Sequence, residues 1–320
     1  MPNGRNAYFR FGPARNDTEG QSTLKTRTPK LLRLDLSEQA KLLARIEEQR
    51  RRVNLWLKQS LRFGTEVPPR LARAMRYAVL GPGKRLRPIL ALEGFRAAGG
   101  RQEEWVVPFC CGIEMIHAST LVHDDLPCMD NDDFRRGRLS LHRKYDEATA
   151  TLAAGALLAL AFELFATSKA PDARRQAAEL ELARALGPAG MAGGQLLDVS
   201  SSERTTAPKL NRIQQKKTAG FIASSLVCGA ILAGSQPGVV SQLKKAGQAL
   251  GRLFQMTDDM LDALRGDRVS KATMVRVYGL EGTKQHAVSE MKKAEKMLQS
   301  FGPGFGVLAG FPRLILERTQ

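Results

Sequence analysis

From Glu38 onward apolar residues return every three or four positions. Leu42, Leu43, Ile46, Val53, Leu57 and Leu61 share one side of a segment whose other side is rich in Lys, Arg, Glu and Gln. That spacing predicts a basic amphipathic helix over about 38–62, with Ser37 and Glu38 as its start signal. Gly81-Pro82-Gly83 interrupts the pattern. Beyond it, helices are predicted over about 88–99, 103–125, 145–169, 172–200, 208–235, 238–265 and 282–300. No stretch alternates with period two, so no sheet is expected. The expected fold class is all-α, with one helical domain over 35–320. The preceding tail, 1–34, has scattered Gly, Pro, Thr and Arg and is expected to be disordered.

Two segments, 148–162 and 221–236, carry no charge and consist mainly of small and aliphatic residues. Each falls short of the roughly 20 residues that span a bilayer. Both are expected to be buried helices of a large bundle, and no transmembrane segment is expected. At 320 residues the chain can build a large core. Four cysteines (110, 111, 128, 228) form no spaced framework, which points to a reduced, cytoplasmic setting. The first 30 residues lack a secretory core; they are Arg-bearing and acid-poor, so a transit peptide is the alternative to a plain basic tail.

The formal net charge is +17, of which residues 1–34 supply +5 (seven Lys/Arg, two Asp/Glu) and the rest +12. A basic body suits anionic substrates, nucleic acid or a membrane surface. Nucleic acid is not expected as a partner, because basic and aromatic residues are not interleaved.

Against this basic background stand two acidic clusters in apolar, helix-forming sequence: Asp124-Asp125-Leu126-Pro127-Cys128-Met129-Asp130 and Asp258-Asp259-Met260-Leu261-Asp262. Bare carboxylates there are costly unless a positive partner neutralises them. Carboxylate oxygens suit Mg²⁺, which keeps several waters and is shared with substrate phosphates. Asp258 and Asp262, four apart, share a helix face that Asp259 turns away from. Asp124 and Asp130 are six apart, but Pro127 should end the helix just after Asp125 and let Asp130 fold back. Solvated acidic helix ends are the bland alternative. Basic residues complete the pattern: Lys84 and Arg87 at a helix start, Arg135-Arg136, and Lys216-Lys217-Thr218. Guanidinium pairs grip phosphates bidentately. Gln195 and Asp198 share a face, as either a satisfied core pair or ligands.

In order and spacing these motifs resemble those of the trans-isoprenyl diphosphate synthases, in the farnesyl/geranylgeranyl branch, over about 40–300. The motifs are Gly-Lys-Arg-Leu-Arg-Pro at 83, Glu-Met-Ile-His at 114, both aspartate clusters, Asn-Asp-Asp-Phe-Arg-Arg-Gly at 131, Gly-Gln-x-x-Asp at 194, Lys217-Thr218 and Phe254-Gln255. The resemblance implies one helical bundle around a deep cavity, a homodimer, and Mg²⁺ as cofactor. It implies that Asp124, Asp130 and Asp258, supported by Asp125, Asp259 and Asp262, hold Mg²⁺ on an allylic diphosphate (dimethylallyl, geranyl or farnesyl). Arg135, Lys217, Thr218 and Gln255 would contact that group, and Lys84, Arg87, His117 and Arg136 would take isopentenyl diphosphate. Ionisation would leave an allylic cation for the alkene to attack.

Product length is expected from the helix before Asp124. Where similar enzymes carry a blocking aromatic this chain has Ser119, beside Thr120, with Met115 and Ile116 as a deeper floor. Geranylgeranyl diphosphate is the expected product and farnesyl diphosphate the alternative. Two departures stand out: Gly155 replaces an aspartate, and a loop after Asp262 that carries a lysine in relatives is short, leaving Arg268 or Lys271 as substitutes. A weakly active or non-catalytic partner subunit is therefore the second reading.

Overall fold

A computed structural model describes residues 36–201, 205–265 and 273–317. The expected tail over 1–34 and the segment containing Arg268 and Lys271 lie outside the described residues. Thirteen α-helices occur among those described: α1 (Leu36–Ser60), α2 (Pro69–Val79), α3 (Leu86–Ala97), α4 (Glu103–Asp124), α5 (Leu141–Lys144), α6 (Glu147–Ala166), α7 (Asp172–Leu186), α8 (Met191–Val199), α9 (Ala207–Gln214), α10 (Gly220–Ala233), α11 (Pro237–Arg265), α12 (Met274–Gln299) and α13 (Gly306–Glu317). The all-α expectation holds.

The differences have local causes. The helix expected over 172–200 is cut in two, because Pro188 follows Gly187 and Gly190 breaks the register. The one expected over 208–235 is interrupted by a π-helical turn, Gln215–Ala219. Helices α2 and α13 were not expected. Pro69 stands at the first helical position of α2, where a missing N–H costs nothing. One two-residue antiparallel hairpin, β1 (Phe134–Arg135) and β2 (Arg138–Leu139), corrects the expectation of no sheet; it is too short to show alternation.

Helix α10 is the axis of the core, lying against α3, α7 and α11, while α4 packs on α6 and α3. Its residues Phe221, Leu226, Val227, Cys228 and Leu232 are fully buried. Burying each Phe or Leu contributes about 1.5–3 kcal/mol. Close approach to α3 depends on glycine from both sides. A Cβ on Gly229 would strike the Ala91 carbonyl and the Phe95 nitrogen, and one on Gly94 the Leu226 carbonyl.

Among the described residues, three helical stretches, Glu103–Asp125, Glu147–Ala166 and Ala207–Ala233, are long and apolar enough to cross a membrane by length and composition. The first and third are two-thirds buried in the bundle, but Glu147–Ala166 is only one-third buried. The expectation that 148–162 is a buried helix is thus corrected. Leu152, Leu158 and Phe162 point outward from α6, with Leu152 68% exposed. Gly155 lies on the same outward face, where an added Cβ would meet nothing within 4 Å. Asp146, from the departing Tyr-Asp-Glu sequence, caps α6 through the Thr149 N–H at 2.6 Å.

Candidate functional site

The first acidic cluster forms where α4 runs out. Pro127 ends the helix at Asp124 with Asp125 as its cap, as expected. The chain then winds back: the Asp130 N–H donates to the Asp124 carbonyl at 2.9 Å, and the Asn131 N–H to the Leu126 carbonyl at 3.1 Å. Asn131 adopts a left-handed φ of 52° to complete the reversal. Asp130 is thereby returned to Asp124 despite the six-residue separation. Burial pushes the Asp124 carboxyl up to about 6; the charges of Asp130 and Asp125 add to the rise, and Lys217 opposes it.

Asp125 points elsewhere. It is buried and accepts from Arg135 Nε at 2.8 Å, and Arg135 Nη2 also reaches Asp125 and, at 2.8 Å, Asp132. The hairpin turn explains how two adjacent arginines part. Arg136 and Gly137 both have positive φ (54° and 75°), the requirement of a tight primed turn. Arg135 therefore faces Asp125, while Arg136 turns to His117 Nε2 at 3.2 Å and to the Pro82 carbonyl at 3.0 Å.

His117 is the meeting point of the cationic side. Its Nε2 also faces Arg87 Nη1 at 3.3 Å. Burial, followed by the charges of Arg87 and Arg136, holds its pKa well below the usual 6.5. The ring is therefore neutral, with Nε2 as acceptor for both guanidiniums. Arg87 itself is drawn down to about 10 by burial, and Glu114 and Asp258 counter that effect. Lys84 reaches across to α11, its Nζ 5.6 Å from the centre of the Phe254 ring.

The second cluster lies on α11, and its middle member differs from the other two. Asp259 is buried and accepts from the Met274 N–H at 2.8 Å, Gln255 Nε2 at 3.0 Å and Gln214 Nε2 at 3.3 Å. It ties α9, α11 and the start of α12 together, and burial raises its carboxyl to about 6. Asp258 and Asp262, on the other face, remain partly accessible.

The π-turn joins the two walls. Lys217 Nζ pairs with Asp198 Oδ2 at 2.8 Å and lies 4.0 Å from Asp124 Oδ2. The next residue, Thr218, donates to Gln255 Oε1 at 3.1 Å. Neighbouring residues thus touch the end of α4 and the acidic stretch of α11. Gln195 is not a satisfied partner of Asp198: both its amide atoms are buried without a hydrogen-bond partner among the described residues.

Among the described residues, no three His, Cys, Asp or Glu side chains gather into a ready-made metal cluster. The donors still fit magnesium. They are carboxylate oxygens on two elements linked through Lys217 and Thr218, and Asp124 is pushed up by burial and like charge, which a divalent cation would relieve. An ion that keeps waters and takes further oxygens from a phosphate needs no complete protein cage.

On the expected length-setting face, Met115 and Ile116 are fully buried, Ser119 is buried with its hydroxyl on the Ala154 carbonyl (2.8 Å), and Thr120 is half-buried. A cavity of about 50 Å³ lies on a different face of α4, lined by Glu114, His117, Leu121, Asp125, Arg85 and Arg136 among others. Arg85 and Glu114 form a buried ion pair at 2.7 Å. Sequence reasoning passed over Arg85, since nothing in Lys-Arg-Leu-Arg marks one cation as buried.

Comparison with known proteins adds the remaining facts. The polyprenyl synthetase family pattern matches residues 68–275. The large subunit 2 of a heterodimeric geranylgeranyl pyrophosphate synthase from Arabidopsis thaliana is 38% identical over 264 residues, covering 78% of this chain and 69% of that protein. A dimethylallyltranstransferase from Fischerella ambigua is 34% identical over 290 residues, 86% of this chain and 83% of that one. A solved FPP/GFPP synthase from Zymomonas mobilis superposes with a TM-score of 0.80 at 33% identity, covering 87% of this chain and 99% of its own. A geranyltransferase from Legionella pneumophila gives 0.81 at 29% identity, covering 88% and 98%.

Proposed function

The chain belongs to the polyprenyl synthetase family and is a prenyltransferase, and we propose that it condenses isopentenyl diphosphate with an allylic diphosphate to make geranylgeranyl diphosphate. One observation carries the reading. Lys217 reaches Asp124 while Thr218 holds Gln255, three residues before Asp258, and the charge of Asp258 acts on Arg87, which shares neutral His117 with Arg136. One half suits a metal-bridged diphosphate and the other a diphosphate gripped by cations alone.

Magnesium, when bound by Asp124, Asp130, Asp258 and Asp262, would draw off the charge that grows on departing pyrophosphate. The chain's own residues do the remaining work. Lys217, fixed by Asp198, places an ammonium beside that charge. Thr218 and Gln255 hold each other at the junction, which fixes them beside the allylic diphosphate. Lys84, Arg87 and Arg136 orient the second substrate, with His117 as a neutral spacer that keeps the two guanidiniums apart. Once the allylic C–O bond has broken, the alkene attacks the cation to form the new C–C bond, and the released pyrophosphate takes the proton lost from the adduct; no side-chain nucleophile is required. Arg135 braces Asp125 here and is released to a phosphate only if that pair opens. Asp125 and Asp259 support the site from behind.

Ser119, a small residue beside the backbone of α6, supports the twenty-carbon product. Incubation with Mg²⁺, labelled isopentenyl diphosphate and farnesyl diphosphate should give a twenty-carbon diphosphate, and Asp124→Ala should abolish it. Fifteen-carbon product alone, from shorter primers, would overturn the length assignment. No turnover by the isolated chain would favour the partner-subunit reading, which the heterodimeric naming of one relative keeps open. The uncharged outer face of α6 supports pairing with a second copy, and Leu152→Glu should then yield monomers in light scattering.

A further inference from the structure

We propose that Arg85 is a positioning residue that shapes the isopentenyl diphosphate clamp, acting through Asn54 and Glu114 without touching substrate. The inference rests on the reading of Lys84, Arg87, His117 and Arg136 as that clamp.

Arg85 stands between Lys84 and Arg87, yet its side chain is only 3% exposed. Every arm of the guanidinium is used. Nε donates to Asn54 Oδ1 of α1 at 2.8 Å, Nη1 to Glu114 Oε1 of α4 at 2.7 Å, and Nη2 back to the Gly81 carbonyl at 2.7 Å. Its backbone sits at φ 53°, a left-handed conformation that a long side chain adopts only when its surroundings hold it there. That kink is the entry to α3, so it aims the flanking cations: Lys84 toward Phe254 on α11 and Arg87 toward His117 on α4.

The strut and the clamp also share the 81–83 loop. Arg85 takes the Gly81 carbonyl and Arg136 takes the Pro82 carbonyl. A Cβ at Gly83 would strike the guanidiniums of both arginines, so the two press on one glycine. Glu114, one turn before His117, supplies a carboxylate under this group of cations. Its Oε2 is buried without a hydrogen-bond partner among the described residues, and its charge helps hold Arg87 protonated against burial. The adjoining cavity of about 50 Å³ means the clamp is held by these bonds, with space for Arg136 to drift once they go.

The test measures KM for each substrate, and kcat, for wild type, Arg85→Lys and Asn54→Ala. Lysine keeps the charge but cannot reach all three partners; alanine at 54 removes one partner alone and secures the test if Arg85→Lys does not fold. KM for isopentenyl diphosphate should rise about tenfold in Arg85→Lys and by a smaller factor in Asn54→Ala, the loss expected for charged hydrogen bonds. KM for the allylic diphosphate should stay within about twofold, and kcat within about threefold. Equal changes in both KM values, or none, would mean that Arg85 serves folding only and would overturn the inference. Wild-type protein that turns over neither substrate would overturn instead the functional reading beneath it.

Discussion

Replacing Asp259 by alanine separates a structural aspartate from Asp258 and Asp262, the pair on the same helix proposed to face magnesium. The side chain accepts from the Met274 N–H, Gln255 and Gln214 at 2.8, 3.0 and 3.3 Å, in a buried setting. Each buried donor left without a partner costs about 1–3 kcal/mol, so the two shorter bonds alone amount to roughly 2–6 kcal/mol. Part of this is offset. Burial, with the charges of Asp258 and Asp262, lifts the carboxyl from 3.8 to about 6, so the ionised form carries an opposing penalty of about 3 kcal/mol at neutral pH. Set against that penalty, the lost bonds leave a net destabilisation of up to about 3 kcal/mol at pH 7. The sign of the pH dependence follows from the raised pKa. The folded state binds a proton more readily than the unfolded state, so the penalty is full above pH 6 and fades as pH falls toward 3.8. Asp259→Ala should therefore fall further behind wild type at pH 5 than at pH 7, by about 1 kcal/mol. Urea unfolding followed by circular dichroism, without magnesium, at both pH values measures this; Asp262→Ala is the comparison and should lose at most about 0.5 kcal/mol. An Asp259→Ala protein as stable as wild type at pH 5, or an Asp262→Ala protein equally weakened there, would refute the assignment of Asp259 as a helix tie.

Three further outcomes are expected. His117→Gln should flatten the acid limb of stability. The folded pKa is depressed, so the histidine's contribution is complete above 6.5 and lost as pH falls below it, and the shift in urea midpoint between pH 7 and 5 should shrink. Ser119→Phe should shorten the product, read by chromatography of the released alcohols. It should also cost about 1–3 kcal/mol of overpacking against Ala154, read as a lower melting midpoint. Gly229→Ala, which drives a methyl into the Ala91 carbonyl, should cost a similar amount and separate α3 from α10, read as faster amide exchange in both helices.

The acidic walls were legible because their rules are local. A four-residue spacing places Asp258 and Asp262 together and Asp259 away, and a proline two residues past Asp125 ends a helix; both readings hold. The hidden parts depend on partners distant in sequence. Arg85 reads as one more cation of a basic loop until α1 and α4 enclose it. The π-turn that sends Lys217 to Asp124 and Thr218 to Gln255 is a shift in hydrogen-bond register with no compositional mark. The outer face of α6 reads as core because it is apolar, and sequence alone does not say whether a helix from this chain covers it. Helix α2 was concealed by Pro68-Pro69, where the second proline is a start signal.

Two acidic clusters sharing metal around one diphosphate are the centre of the proposed mechanism. Crystals grown with Mn²⁺ and inorganic pyrophosphate test it directly through the anomalous signal of manganese. Peaks between the Asp124/Asp130 carboxylates and those of Asp258/Asp262, bridged by pyrophosphate oxygens, are the predicted result. Manganese on one wall only, or pyrophosphate bound remote from both, would contradict it.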